Sequence, residues 1–484
     1  MSSAELIGVA YYGAFAFGTA ALLILVQGGF LSLESRFARW TLPAVPVFLC
    51  LGIALSTLLS GRNLKYASFD IRTIEGTGGD GGGHVTRALT GLVLAICFAK
   101  ILTCLMNSRA RRAAPAGGQG LFVALLAFFA ATHVLAAALG AYPTFVHNSY
   151  YPIVMFIAFF LARGEGLEAS LHALKCALLG LMVGSLVAAL LLPSLAIQPD
   201  YPGWIPGFTI RLWGLGSNAN SIGPLALLLG LLTYQRPFRR SWMNVLAGVA
   251  VLTVFVLAQS KTVWASGLVC VVVLMLYGRG RDAQGRLKPG FVLGLLALAL
   301  VAMGALMVLD LGRIASKIVD SKAGGEIATL TGRTAIWAEA WRLWLDNLWF
   351  GYGPEAWGPV HRFRIGMPFA FHAHNQLMQS LSVAGLFGGL ALLAYLACLL
   401  LASWRAAAQT RGVSLALAVA VLARCVSEAP LELEGLFVGE TLIHLAWFAM
   451  VLLPYRRGEG AEATPFGHAA PASALSRLPQ VRAR

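Results

Sequence analysis

Residues 371–400 read FHAHNQLMQSLSVAGLFGGLALLAYLACLL. Two imidazoles and two amides in six residues, Phe371-His372-Ala373-His374-Asn375-Gln376, run straight into an apolar stretch over 377–402. A stretch of that length without a charge fits a helix crossing the roughly 30 Å hydrocarbon core of a bilayer, which takes about 20 residues. The polar hexapeptide then sits where the helix meets water. Working outward, similar runs occupy about 6–31, 41–60, 88–107, 121–140, 167–192, 219–235, 243–259, 291–309 and 438–453, with shorter ones at 149–162, 263–277 and 413–427. The expected fold is an all-α polytopic membrane protein with 12 or 13 transmembrane helices.

Composition agrees. Of the 484 residues, 58% are hydrophobic and 12% charged, against about a quarter charged in soluble domains. The net charge of +15 does not point to nucleic acid, because the basic residues cluster in short loops between spans. Arg109-Ala110-Arg111-Arg112, Arg236 to Arg240, Arg279 to Lys288, Trp404 to Arg411 and Arg456-Arg457 each mark a cytoplasmic side by the positive-inside rule. Alternation then places 193–216, the hairpin tip at Ser260-Lys261-Thr262 and the segment 310–376 on the outer side. The loop 61–87, with Arg62, Lys65, Arg72 and Arg87, falls outside too, against the charge rule. The seven cysteines show no metal spacing and read as small buried hydrophobes. The first run lacks the basic region and cleavage site of a signal peptide.

The chain divides into transmembrane helices over 1–309, a large outer loop over 310–376, C-terminal transmembrane helices over 377–455 and a flexible cytoplasmic tail over 456–484. In the loop, a helix from about Arg333 to Trp349 carries Trp337, Trp341, Trp344 and Leu348 on one stripe, expected to pack on the membrane domain or to sit at its interface. Ionisable residues inside spans (Lys100, His133, His172, Lys175, Arg424, His444) mark either paired bundle positions or a proton-coupled transporter. Lys175 and His172 should snorkel to the interface, and Arg424 and Glu428, four apart, should pair.

Three outer clusters carry chemistry. Arg211 to Asn220 combines a fork-shaped cation with glycines that let a ligand approach the backbone. Ser260-Lys261-Thr262 offers two hydroxyls around a point charge, an anion site. His372 or His374 can take a proton near neutral pH, and Arg362 and Arg364 stand nearby for an anionic substrate. A zinc site at His372-Ala373-His374 lacks a convincing third ligand, so metal is not expected.

Taken in order over about 205–400, these segments resemble the bacterial O-antigen ligase and O-antigen (exopolysaccharide) polymerase superfamily. The resemblance rests on Arg211 to Gly214 with Asn220, on Ser260-Lys261-Thr262, on Gly332-Arg333-Thr334-Ala335-Ile336-Trp337, on Gly351 and Gly353, and on His372-Ala373-His374-Asn375. It implies a GT-C-like glycosyltransferase of the bacterial inner membrane. Such an enzyme would take undecaprenyl-diphosphate-linked glycan on the periplasmic face, with inversion and without a cofactor or metal. Arg211, Lys261 and Arg333 would hold the diphosphate, His374 or His372 would act on the acceptor hydroxyl, and Ser260, Thr262, Asn220 and Asn375 would support them. The acceptor would be a growing glycan chain or lipid A-core, and a chain-length regulator is an implied partner. Lys261 stands where the ligases usually carry Arg, which favours a polymerase of repeat units over a ligase. Transfer to protein is a third reading. A lipid-linked glycan transporter is the rival class, and the absence of a visible internal repeat speaks against it.

Overall fold

The computed structural model describes residues 38–66, 83–106, 117–163, 166–201, 205, 208–277, 288, 290–291, 293–294, 333–368 and 370–454. The run expected at 6–31, most of the run expected at 291–309, residues 310–332 of the outer loop, the Arg109–Arg112 loop, most of the Arg279–Lys288 loop and the tail from 456 lie outside the described residues.

Within them the chain is helical. The helices are α1 (Ala38–Leu59), α2 (Gly83–Met106), α3 (Gln119–Phe129), α4 (Tyr151–Leu161), α5 (Leu167–Leu191), α6 (Ala219–Gln235), α7 (Ser241–Leu257), α8 (Lys261–Tyr277), α9 (Arg333–Asp346), α10 (Pro359–Arg364), α11 (Gln376–Ala406), α12 (Val413–Cys425) and α13 (Gly439–Val451). A helix occupies each described apolar run. Five segments are long and apolar enough to cross a membrane: Thr41–Leu59, Gly83–Leu105, Gln119–Leu139, Leu167–Leu191 and Gln376–Ala406. The one described sheet is a two-residue antiparallel pair, β1 (Ile197–Gln198) and β2 (Arg211–Leu212).

Helix α13 is apolar on every side, and all but Glu440 of its residues are buried. A helix that is hydrophobic all round belongs in an interior, and α13 packs against α5, α6, α11 and α12. By contrast, α7 and α8 leave Val245, Val249, Leu252, Leu268 and Met275 exposed, as a lipid-facing surface does. The two do not run as a tight hairpin. α7 packs mainly on α6 and α5, and α8 mainly on α12.

Several polar residues within the spans are bundle contacts. His444 and the Tyr395 hydroxyl lie 2.6 Å apart between α13 and α11, and the Trp447 indole donates to Ser403. Lys175 does not snorkel: it is 2% exposed and donates to the Arg236 carbonyl just past the end of α6. Cys176 departs from the buried pattern of cysteines and is exposed.

Arg62 is one of the four cations that set the loop 61–87 against the charge rule. It is buried, and its guanidinium donates to the carbonyls of Leu195, Gly214, Gly216 and Ser217 while stacking on Trp213. A cation consumed by carbonyls is not a topology signal. Here it holds the segment between α5 and α6 against the end of α1.

α11 is broken. Gly385 has φ +62° and ψ −155°, outside helical geometry. The freed groups are paired by the loop after α9: Tyr352 and Gly353 donate to Ser382 and Val383, and Leu386 donates to Leu348. A bilayer core has no water for stranded backbone groups, so a break needs such partners. Gly351 and Gly385 are required by the approach. A Cβ on Gly385 would lie 2.4 Å from the Trp349 carbonyl carbon, and one on Gly351 2.6 Å from the Ala384 nitrogen.

α9 buries a different face from the one its tryptophans suggested. Ala340 and Leu343, with Ile336 beside them, pack against α11, while Trp341 and Leu348 are exposed.

Candidate functional site

One end of the bundle gathers the residues that the sequence singled out. They come from the start of α6, the α7–α8 turn, the start of α9, the residues before α11 and the turn after α12. The two fully described basic loops lie at the opposite end, where Arg236 pairs with Glu168 at 2.9 Å and Arg411 donates to the Tyr234 carbonyl.

The first half of the site is built on Asn220. Its side-chain oxygen accepts from Arg211 Nη2 and from Ser260 Oγ, each at 2.9 Å. Arg211 Nε donates to the Ala258 carbonyl at the end of α7, and its guanidinium stacks on Tyr201. Gln259, at φ +44°, ties the same turn to the Ile210 carbonyl. Arg211, Asn220 and Ser260 therefore form one unit from three distant parts of the chain. Arg211 Nη1 takes part in neither of these bonds. Burial lowers the Arg211 pKa, while Tyr201 and Glu428 favour the charge. Ser260 departs from the expected anion site: it is 1% exposed and its proton is spent on Asn220. Lys261 is exposed in the first turn of α8, with Thr262 beside it.

The second half is built on Glu428, a residue that the sequence offered only as a partner for Arg424. That pairing is not formed. Arg424 Nη2 reaches Glu440 at 3.6 Å, and Glu428 faces the other way. Its Oε1 accepts from Arg333 at 3.2 Å; its Oε2 lies 3.2 Å from His374 Nδ1 and 3.6 Å from His372 Nε2. Burial works against the Glu428 anion, but the His374 hydrogen bond and the charges of His372, His374 and Arg333 outweigh it, and its pKa falls to about 2.

The contacts fix the imidazole tautomers. Glu428 is ionised, so the His374 Nδ1 contact needs the proton on the ring. In a neutral ring Nε2 then holds a free lone pair. His372 is the reverse: its Nδ1 accepts the His374 backbone N–H at 3.1 Å, so its proton sits on Nε2, toward Glu428. Burial, then the neighbouring His374, lowers the His372 pKa to about 3. The two rings lie 4.1 Å apart. His374 itself has φ +47°, a left-handed conformation uncommon outside glycine, of the kind that persists where the surroundings enforce it.

Asn375 serves the backbone. Its oxygen caps α11 by accepting from Leu377 and Met378, and its nitrogen donates to the Val426 carbonyl two residues before Glu428. Arg362 is likewise used in the fold, 3% exposed, bonded to the Pro368 carbonyl and stacked on Phe371. Arg364 is exposed above Tyr142.

Glu428 supplies the third ligand that a metal reading lacked, since one donor atom each from His372, His374 and Glu428 lie within 4.8 Å of one another. The fit is poor. Arg333 already occupies the other carboxylate oxygen, and a guanidinium in that position supplies the positive charge that a divalent ion would bring.

Residues 246–393 match the family model described as O-antigen ligase. The match takes in Ser260, Lys261, Arg333, His372 and His374, and stops short of Arg211 on one side and Glu428 on the other. Among curated proteins, no sequence matches the chain.

Proposed function

We propose, from the match of residues 246–393 to the O-antigen ligase family model and the five candidate membrane spans, that this chain is an inverting glycosyltransferase using a lipid-diphosphate-linked glycan. The observation that carries this reading is the convergence on Glu428 of His374 and Arg333, with Arg211 in electrostatic range. In the reaction, His374 Nε2 takes the proton of an acceptor hydroxyl. The hydroxyl oxygen forms a bond to the anomeric carbon from the face opposite the carrier. The bond from that carbon to the diphosphate oxygen breaks, and the diphosphate leaves with the electron pair. Charge grows on the leaving oxygen, and fixed cations aimed at it lower the barrier. Arg211, through Nη1, together with Lys261 and Arg333, would do so. Glu428 orients His374 and stabilises the imidazolium, as the acid does in a hydrolase triad. His372, with its lone pair held by a backbone N–H, positions Glu428 and His374.

The site would face the periplasm across the bacterial inner membrane, with undecaprenyl diphosphate as carrier, since the basic loops sit at the far end. Polymerisation of O-antigen or exopolysaccharide repeat units is preferred to ligation onto lipid A-core, because Lys261 is a point charge where the ligases usually carry a fork. The test is His374→Ala in the native host, beside deletion of the gene. Deletion of a polymerase leaves single repeat units, and deletion of a ligase leaves long chains on the carrier. Normal glycan of normal length from His374→Ala, at unchanged protein level, would sink the reading.

A further inference from the structure

The hexapeptide before α11 has two sides. His372 and His374 face Glu428. Phe371 and Gln376, which bracket them, line a cavity of about 250 Å³ on the other side. On this measure a single water needs only about 10–15 Å³. The cavity wall also includes Trp357, the start of α11 and the Leu431–Glu434 stretch. The α3 end of the wall is a π-helical turn, Ala130–Leu135, carrying Thr132 and His133. Such turns are rare and recur at functional sites.

The lining chemistry is specific. Glu355, Glu432 and Glu434 contribute carboxyl groups, and no described lining residue is Lys or Arg. Gln379 donates to Glu432 and accepts from the Ala373 backbone N–H between the two histidines, so the cavity is joined to the reacting centre by one side chain. An acidic wall alone does not identify a ligand. The independent sign is Ser380, which lines the cavity, is 2% exposed and has a hydroxyl with no hydrogen-bond partner. A buried polar group without a partner costs on the order of 1–3 kcal/mol.

We infer that this cavity is a saccharide-binding subsite for an uncharged, hydroxyl-rich sugar unit, separate from the reacting centre at His374. Carboxyl, amide and hydroxyl groups offer paired donors and acceptors to sugar hydroxyls, and Trp357 and Phe371 offer apolar faces to the ring carbons. Glu432 and Glu434 hydrogen-bond each other, with Glu432 as the protonated member. Burial holds Glu432 well above the usual carboxylate range, so it stands as a donor beside the Glu434 carboxyl. An anionic sugar or a phosphate finds no Lys or Arg in this lining, unlike at Arg211 and Lys261. The subsite rests on the glycan-transfer reading and refines it: the part of the glycan seated here is neutral, unlike a phosphorylated core.

The test is a saturation-transfer NMR titration of the purified full chain in lipid nanodiscs. The probes are maltotetraose, chitotetraose, a glucosamine tetramer and tetragalacturonate. At least one neutral tetramer should bind, and tetragalacturonate should bind about tenfold or more weakly. Ser380→Leu, which fills the cavity, and the near-isosteric Glu432→Gln should each weaken the neutral probe about tenfold. The inference is overturned by no transfer to either neutral tetramer, by equal binding of tetragalacturonate, by preference for the glucosamine tetramer, or by unchanged affinity in Glu432→Gln. His374→Ala separates the two readings. It should stop glycan transfer and leave tetramer binding intact; transfer that survives it removes the proposed function without touching the binding result.

Discussion

His374 Nδ1 and Glu428 Oε2 meet at 3.2 Å across a sequence separation of 54 residues. The helix between them, α11, runs away from the site and α12 returns to it, so the pair closes a loop through the bundle.

Removing the base should show in rate. A positioned general base contributes roughly 10²–10⁴-fold, so His374→Ala should lower the transfer rate by that order in a purified assay with lipid-linked glycan. Glu428→Gln keeps the shape but loses the charge that holds the tautomer, and should fall in the same range. His372→Ala should lose less. A rate for His372→Ala below that of His374→Ala would reverse the assignment.

Acid should destabilise the fold from this cluster. Glu428 has an ordinary value of 4.5 and a folded value of about 2, so its contribution is whole above 4.5 and fades as pH falls toward 2. His372 has an ordinary value of 6.5 and a folded value of about 3, so protonation favours the unfolded chain as pH falls below 6.5. Glu434 runs the other way, because its pKa is raised to about 7 and its cost grows as pH rises from 4.5 to 7. Thermal melts from pH 8 to pH 4 should show a falling Tm below 6.5. Glu434→Gln should steepen that fall by removing the opposing trend.

Arg62→Ala strands carbonyls on Leu195, Gly214, Gly216 and Ser217. At about 1–3 kcal/mol for a stranded buried polar group, the variant should melt well below the parent. Arg62→Lys should recover only part, because an ammonium cannot fork. A melt of Arg62→Ala within a degree or two of the parent would contradict the clamp.

Gly385→Ala should be severe. The site needs φ +62° and leaves no room for a Cβ, and a left-handed non-glycine residue alone costs of order 1–3 kcal/mol. Loss of folded protein, or faster proteolysis in 347–353, is the expected readout.

Chelation should leave transfer unchanged, because Arg333 holds the charge that a metal would bring to Glu428. Loss of activity in EDTA with recovery on adding zinc would show the cluster to be a metal site.

Much of the fold was legible because spans announce themselves by length and apolarity, and each described run is a helix. Arg211, Asn220, Ser260, Arg333 and His374 were legible as local motifs. Glu428 was not. Its sequence neighbour Arg424, one helical turn away, offered an easy partner, and nothing local says that the chain turns at Val426 and aims the carboxylate elsewhere. Ser260 was misread for a similar reason: a hydroxyl beside a lysine looks available until Asn220 arrives from 40 residues away. The acidic cavity was not legible because its wall joins Glu355, Gln379, Glu432 and Glu434 from separate segments with no local motif. The break in α11 was not legible either, because Gly385 stands with Gly388 and Gly389 in one apolar run.

That docking has a consequence for how such a chain can diversify. The loop after α9 is fastened to α11 through main-chain atoms at Tyr352, Gly353 and Leu386. Apart from Gly351, Gly353 and Gly385, where a Cβ would meet backbone atoms, these main-chain bonds ask nothing of side-chain identity. The exposed Trp349 can be exchanged while the seam beneath it stays the same.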